Sequence, residues 1–164
     1  MNKLVVEEAY VRGKLVHNQY LQTRDAVVII PRTEDGKYIL VQQYRAAIKQ
    51  RIMEFPAGGI EVDEYPEHAA YRELSEETGY RATKMNYLFS YYPSPGIHTE
   101  QLHVFSAQVG TRDQQLLDDN EEIEVLIFEP STLGQMIQAG EIIDGKTILG
   151  FFYLSAGINP LSEA

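Results

Sequence analysis

A single stretch, residues 58–80, constrains the fold of this chain more than any other. It reads GGIEVDEYPEHAAYRELSEETGY, with glycines at its start, a proline near its middle and a glycine close to its end. Pro66 suits the first turn of a helix, because its missing N–H would have no partner there, and Gly79 suits the position that follows a helix. The stretch therefore predicts a glycine-rich loop followed by one helix.

Three carboxylates share one face of that predicted helix. Successive helical residues are rotated by about 100°, so Glu73, Glu76 and Glu77 fall within an arc of roughly 100°. Like charges at such spacings oppose helix formation by about 0.2–0.5 kcal/mol per exposed pair. A compensating positive charge is therefore expected, and clustered carboxylate oxygens suit a hard divalent cation such as Mg²⁺.

Length and composition indicate a globular domain. The 164 residues are predicted to form one domain, 1–164, and the hydrophobic fraction of 44% is ordinary for such a domain. The absence of cysteine excludes disulfides, thiolate catalysis and zinc sites built on cysteine. No apolar run reaches the roughly 18 residues of a membrane-spanning helix, and residues 1–10 lack the apolar core of a signal peptide. We therefore expect a cytoplasmic protein.

The charge distribution bears on the partners. A formal net charge of -10 argues against a general nucleic-acid or anionic-membrane binder, since both need positive surface. Residues 24–51 nevertheless carry six basic and three acidic side chains, a net of +3, which leaves -13 on the rest of the chain. The basic segment could hold an anion beside a cation site, or it could be an ordinary solvated surface.

Apolar runs and turn residues predict the remaining elements. Residues 1–23 are strand-rich but weakly patterned, and two predicted helices follow the last strand, at 131–139 and 145–156, with Asp144 as the N-cap of the second. The predicted strands lie at 25–31, 38–44, 51–55, 87–92, 101–109 and 124–128. Many strands with one helix inserted midway and two at the end indicate an α+β fold with a mixed sheet flanked by helices.

Residues 58–80 resemble the Nudix box, G-x5-E-x7-R-E-U-x-E-E-x-G-U, in which U is a bulky apolar residue. Only the last position departs from the pattern, with Tyr80 in place of an aliphatic residue. The specified positions are filled by Gly58, Glu64, Arg72, Glu73, Leu74, Glu76, Glu77 and Gly79. The resemblance implies a Nudix-type α/β/α sandwich.

Further segments resemble the ADP-ribose pyrophosphatase and nucleotide-sugar pyrophosphatase branch of that family. They are QYR at 43–45, EFPAG at 54–58, SPG at 94–96 and GEIIDGKT at 140–147. Pro95 follows the box at the distance that marks this branch. The resemblance implies metal-dependent hydrolysis of the pyrophosphate of ADP-ribose or a related nucleoside diphosphate sugar, with Mg²⁺ or Mn²⁺ as cofactor. It also implies a homodimer, which residues 1–23 could help to form.

The resemblance also implies roles for residues of the box. Glu73 and Glu77 are predicted to bind metal, Glu76 to hold a further ion among the catalytic carboxylates, and the carbonyl of Ala57 to complete the ligand set. Arg72 and Glu64 are predicted to support this arrangement by ion pairing, and Gly58 by permitting a close approach of the backbone. A plain surface pair is the alternative for Arg72 and Glu64.

The general base and the substrate contacts are expected outside the box. In the family branch the base comes from an acidic loop after the strand pair, which predicts Glu121, with Asp119 as the alternative. Arg45 is the best candidate for holding a phosphate or a terminal ribose, since its planar fork binds two phosphate oxygens at once. Glu54 and Glu100 could accept hydrogen bonds from ribose hydroxyls or share in the metal site, and Arg51 is a weaker candidate for substrate binding.

Two other functions compete with the pyrophosphatase. A nucleoside triphosphate hydrolase is an alternative, against which the SPG segment at 94–96 argues. A nucleotide sensor that binds without cleaving is the other, but such domains usually lose carboxylates of the box, and all are present here.

Overall fold

The structure, a computed structural model, describes residues 2–12, 14–117 and 122–157. Within them the strands are, in chain order, β1 (Lys3–Val11), β2 (Lys14–Gln22), β3 (Ala26–Arg32), β4 (Tyr38–Arg45), β5 (Gln50–Glu54), β6 (Ala57–Gly59), β7 (Tyr80–Tyr91), β8 (Leu102–Arg112) and β9 (Glu124–Phe128). The helices are α1 (Pro66–Thr78), α2 (Pro130–Ala139) and α3 (Gly145–Ser155).

The main sheet is mixed, as the sequence predicts. Its strand order is β5-β4-β3-β8-β7, while β6 also pairs with β3 and β9 with β4. Strands β3 and β8 are parallel, with Ala26 opposite Leu102, and the other pairs of this sheet are antiparallel. Helix α1 lies between these two strands in the chain and packs against β3 and β7.

Strand β3 separates two hydrophobic cores. Because side chains alternate along a strand, Val27 and Ile29 enter one core while Val28 and Ile30 enter the other. The first core contains Ala69, Ala70 and Leu74 of α1, and the second contains Leu133 of α2 and Phe151 of α3. Helices on both faces of one sheet confirm the predicted α/β/α sandwich.

Helix α1 begins and ends where its proline and glycine predict. Pro66 occupies the first turn. It follows Tyr65, whose backbone is extended and whose side chain makes no capping hydrogen bond within the described residues. Gly79 adopts a left-handed conformation with φ of 74°, and its N–H donates to the carbonyl of Ser75. A Cβ at Gly79 would also overlap the carbonyl oxygen of Asp113, so glycine is required for space as well as for conformation.

The other elements differ from the prediction mainly at their ends. Strand β7 begins at Tyr80 instead of 87, because its pairing with β8 continues through irregular register to Arg112. Strand β6 was not predicted, since its glycines do not favour a strand by themselves. Asp144 caps α3 as predicted, accepting a hydrogen bond of 2.9 Å from the N–H of Thr147. None of the helices in the described residues is long and apolar enough to cross a membrane.

Strands β1 and β2 form a separate antiparallel hairpin. The N–H of Leu21 donates to Ile97 at 2.8 Å, and the N–H of Thr99 donates to Leu21 at 3.0 Å, which attaches the hairpin to the loop before β8. Several large apolar side chains of the hairpin remain exposed, namely Leu4, Val6, Tyr10, Val11, Leu15 and Leu21.

Candidate active site

The pairing of β6 with β3 brings Ala57 to the carboxylate face of α1. Glu77 is buried, with 4% of its surface exposed. Its Oε2 accepts a hydrogen bond of 3.0 Å from the N–H of Ala57. Val28 lies opposite Ala57 in the register of the two strands, so the sheet fixes the backbone that meets Glu77.

The next residue, Gly58, lies directly against Glu73. A Cβ at this position would overlap the carboxyl carbon and both carboxyl oxygens of Glu73. Glycine therefore lets the backbone approach this carboxylate more closely than any other residue would. Two consecutive residues thus contact two carboxylates of α1, Ala57 contacting Glu77 and Gly58 contacting Glu73.

We expect Gly58→Ala to lower kcat about tenfold or more while the protein stays folded, because the added methyl group would displace the flexible end of Glu73. Steady-state kinetics and the thermal midpoint check this outcome. Gly96→Ala is the control, because no atom of the described residues lies within 4 Å of a Cβ at Gly96 and, unlike Gly140, this glycine does not have a positive φ. Gly96→Ala should therefore retain the wild-type kcat, and equal activity of both variants would contradict the prediction.

Arg72 connects the carboxylates of the box. Its Nε and Nη2 each lie 2.9 Å from an oxygen of Glu64, and its Nη1 lies 2.7 Å from Glu73 and 2.9 Å from Glu76. Nη2 also donates to the carbonyl of Gly59 at 2.9 Å. The hydrogen bonds from Arg72 lower the pKa of Glu64 to about 2, and the hydrogen bond to Glu64 contributes most to the raised pKa of Arg72. These are the contacts that the predicted support role of Arg72 and Glu64 requires.

The carboxylates of α1 fit a hard divalent cation by their chemistry. Glu73, Glu76 and Glu77 provide anionic oxygens, and the backbone of Ala57 lies beside them. Across 2–12, 14–117 and 122–157, no three acidic or histidine side chains are grouped closely enough to hold a metal ion together. The Nη1 of Arg72 contacts both Glu73 and Glu76, so its guanidinium supplies a positive charge between these two carboxylates.

A cavity of about 650 Å³ lies next to this face. Ala57 and Gly58 form part of its wall, and the cations Arg45 and Lys146 form another part. Glu100 also lines it, as the sequence predicts for a substrate contact. The cavity therefore joins the carboxylate face to positive side chains that could receive an anion.

A buried carboxylate, Glu54, organises those cations. It is 1% exposed and accepts hydrogen bonds from Arg45 at 2.6 Å to Nε and 2.9 Å to Nη2. Lys146 contacts Glu54 as well, and its Nζ lies 2.9 Å from Oδ1 of Asp144. Burial alone would raise the pKa of Glu54, but the hydrogen bonds from Arg45 and the charge of Lys146 outweigh it and leave the pKa lowered. Glu54 itself does not line the cavity, so it holds the cations from behind.

Lys146 is a functional candidate that the sequence reasoning missed. It lies in the first turn of α3, where a positive charge is unfavourable because the helix N-terminus is itself positive. A lysine at this unfavourable position indicates either that acidic side chains compensate its charge or that the charge serves the function. The structure supplies the partners, Glu54 and Asp144, and places Lys146 on the cavity wall.

Three predicted site residues remain, namely Arg51, Asp119 and Glu121. Arg51 is on β5, with its Nη2 2.5 Å from Glu122, and does not line the cavity. The two candidates for the general base, Asp119 and Glu121, lie outside the described residues. Tyr91 was not predicted as a site residue but lines the cavity, and burial together with Asp144 and Glu100 raises its pKa to about 12.

Comparison with known proteins agrees with this geometry. The model of the NUDIX domain matches residues 22–149. The chain is 35% identical over 144 residues to an ADP-ribose pyrophosphatase of Bacillus subtilis (strain 168), covering 87% of this chain and 78% of the relative. It is 34% identical over 144 residues to a GDP-mannose pyrophosphatase of Escherichia coli (strain K12), covering 82% and 75%. It is also 32% identical over 155 residues to a methanol dehydrogenase activator of Bacillus methanolicus, covering 93% and 84%. The matching domain, which covers most of the chain, and the relatives aligned over most of their length show that the chain belongs to the Nudix hydrolase family.

Proposed function

We propose that the protein hydrolyses the pyrophosphate of ADP-ribose or a related nucleoside diphosphate sugar, giving a nucleoside monophosphate and a sugar phosphate. The observation that carries the proposal is the shared cavity, whose wall joins the carboxylate face at Ala57 and Gly58 to the cations Arg45 and Lys146. Hydrolysis of a diphosphate needs positive charge from bound metal and from cationic side chains, because the negative oxygens of the diphosphate repel an attacking hydroxide. The names of the relatives from Bacillus subtilis and Escherichia coli support this class of substrate.

Different residues of this chain would bind the substrate, bind the metal and take up the proton. Arg45 and Lys146 would hold the diphosphate, and Glu73, Glu76, Glu77 and the carbonyl of Ala57 would hold Mg²⁺ or Mn²⁺. When bound, the metal neutralises phosphate charge and lowers the pKa of a coordinated water. A carboxylate of the acidic loop, Glu121 or alternatively Asp119, would take the proton of the attacking water. The water oxygen forms a bond to one phosphorus, the bridging P–O bond breaks, and the bridging oxygen leaves on the other phosphate.

A substrate panel with identified products tests the proposal. It contains ADP-ribose, GDP-mannose, other nucleotide sugars, dinucleoside polyphosphates and nucleoside triphosphates, each with Mg²⁺ and with Mn²⁺. Nucleotide sugars should be cleaved to a monophosphate and a sugar phosphate, with a parallel Glu77→Gln preparation as the control for contaminating hydrolases. Inertness towards every compound with a diphosphate link would overturn the proposal, and a preference for triphosphates would favour the competing hydrolase function.

Arg45→Lys is expected to raise the KM for the nucleotide sugar about tenfold, because lysine keeps the charge but loses the planar fork. The bidentate contact with Glu54 would also be lost, while the positive charge beside that buried carboxylate remains. Arg51→Lys is the matched control, since Arg51 lies outside the cavity wall. An equal rise in KM for both variants would assign Arg51 to substrate binding and contradict a special role for Arg45.

We further propose that the protein acts as a cytoplasmic homodimer of single-domain chains and binds no nucleic acid. The exposed apolar side chains of the β1–β2 hairpin support a second copy as the partner, because isolated two-stranded sheets are marginally stable in water. The net charge of -10 supports the absence of a nucleic-acid partner. Light scattering that gives the mass of one chain would overturn the dimer.

A further inference from the structure

The segment that follows β8 covers the C-terminal end of α1. The last four carbonyls of a helix have no partner within it, and here each receives a donor. Gly79 supplies the donor for Ser75. Arg112, the last residue of β8, donates from Nε to Thr78 at 3.2 Å. The segment supplies the other two donors, from Gln115 Nε2 to Glu77 at 2.6 Å and from the N–H of Leu116 to Glu76 at 3.0 Å. The carbonyls of the predicted metal ligands Glu76 and Glu77 are thus held by residues of a distant segment.

Gln115 makes a second contact that joins this end of α1 to the approach to β9. Its Nε2 also lies 3.3 Å from the carbonyl oxygen of Ile123, a buried residue just before that strand. A side-chain amide has two N–H groups, so it can donate to two carbonyls at once. One nitrogen of Gln115 therefore bridges the backbone of Glu77 and the backbone of Ile123.

The bridge spans the two ends of the acidic loop. Residues 117–122 connect Leu116 to Ile123. The N–H of Leu116 donates a hydrogen bond to the carbonyl of Glu76, and the carbonyl of Ile123 accepts one from Gln115. Both ends of the loop are consequently fixed to the same turn of α1 that carries Glu76 and Glu77. A change at Gln115 would therefore loosen the contact between Ile123 and the turn of α1 that carries those carboxylates.

We propose that Gln115 is a positioning residue, which fixes the last turn of α1 against the approach to β9 and so holds the backbone of Glu77 in place. The inference rests on the proposed function, because it is that function which assigns Glu77 a role in the reaction. A displacement of about 1 Å can slow an oriented reaction about a hundredfold without removing any reacting group. The loss should therefore appear in kcat rather than in substrate binding.

The test compares two substitutions of Gln115 with one of its neighbour. Gln115→Met keeps the length of the side chain but removes both donors, and Gln115→Glu places a carboxylate against the two carbonyl oxygens. Gln114→Met is the matched control, because Gln114 is exposed and precedes Gln115 in the same segment. We expect kcat to fall roughly 10–100-fold in Gln115→Met and further in Gln115→Glu, with the substrate KM within about twofold of wild type. The control should match the wild type.

Hydrogen exchange tests the bridge without reference to activity. The amide of Leu116 should lose protection in Gln115→Met, together with peptides covering 122–128, and should keep it in Gln114→Met. A Gln115→Met variant with wild-type kcat and wild-type protection would overturn the inference, since space filling alone would then explain the residue. If the wild-type protein cleaves no diphosphate, the proposed function fails, while unchanged protection in Gln115→Met would refute the bridge separately.

Discussion

Replacing Glu77 by glutamine is expected to lower kcat about a hundredfold or more while the fold remains intact. Glutamine has nearly the same shape, and its amide oxygen can still accept the hydrogen bond from the N–H of Ala57. What is lost is the negative charge, and a neutral amide binds a hard divalent cation less well than a carboxylate does. The measurement is kcat at saturating nucleotide sugar and saturating Mg²⁺, with circular dichroism as the check on folding.

Glu67→Gln is the control for this variant. Glu67 lies in the first turn of the same helix and is exposed, so the substitution changes the charge of α1 without changing the carboxylate face. Its kcat should equal that of the wild type. Near-native turnover of Glu77→Gln in Mg²⁺ would contradict the assignment of Glu77 as a metal ligand.

Replacing Arg72 by glutamine is expected to lower both stability and activity. The variant would leave Glu64, Glu73 and Glu76 without the guanidinium that now binds all three. These side chains are only partly exposed, so removing their cation should cost about 2–3 kcal/mol, or roughly 5–10 °C in the thermal midpoint. Losing the contacts that orient the metal ligands should lower kcat about 10–100-fold.

Metal dependence distinguishes this role from a purely structural one. A divalent cation should raise the thermal midpoint of Arg72→Gln more than that of the wild type, because the added charge replaces the one removed. Arg81→Gln is the control, since Arg81 forms an exposed ion pair with Asp113 instead of with a carboxylate of the box. Equal gains in thermal midpoint for the wild type and Arg72→Gln would show that Arg72 does not share the carboxylates with a metal.

The two variants also separate charge from orientation at the same site. Glu77→Gln removes one predicted ligand and leaves the Arg72 network unchanged, so its midpoint in the absence of metal should stay near the wild-type value. Arg72→Gln keeps every predicted ligand but loses the group that orients Glu73 and Glu76. We therefore expect a lowered thermal midpoint in Arg72→Gln and a thermal midpoint near the wild-type value in Glu77→Gln.

The sequence by itself determined the local features, because these depend on residues that are close in the chain. Pro66 and Gly79 set the ends of α1, since one lacks an N–H and the other tolerates a positive φ. Asp144 set the start of α3 by accepting the N–H of Thr147. The spacing of the box also placed Glu73, Glu76 and Glu77 on one helix, with Arg72 beside them.

Only the tertiary structure decided which distant residues meet. Strand β6 has too little propensity of its own to be predicted, and its pairing with β3 is what brings Ala57 to Glu77. Glu54 was predicted to contact substrate, whereas its burial places it behind Arg45 and Lys146. The physical reason is that a contact between residues far apart in the chain depends on sheet register and helix packing, which local propensity does not encode. The carboxylate face of α1 could therefore be predicted from the sequence, while the cavity with Arg45 and Lys146 in its wall required the fold.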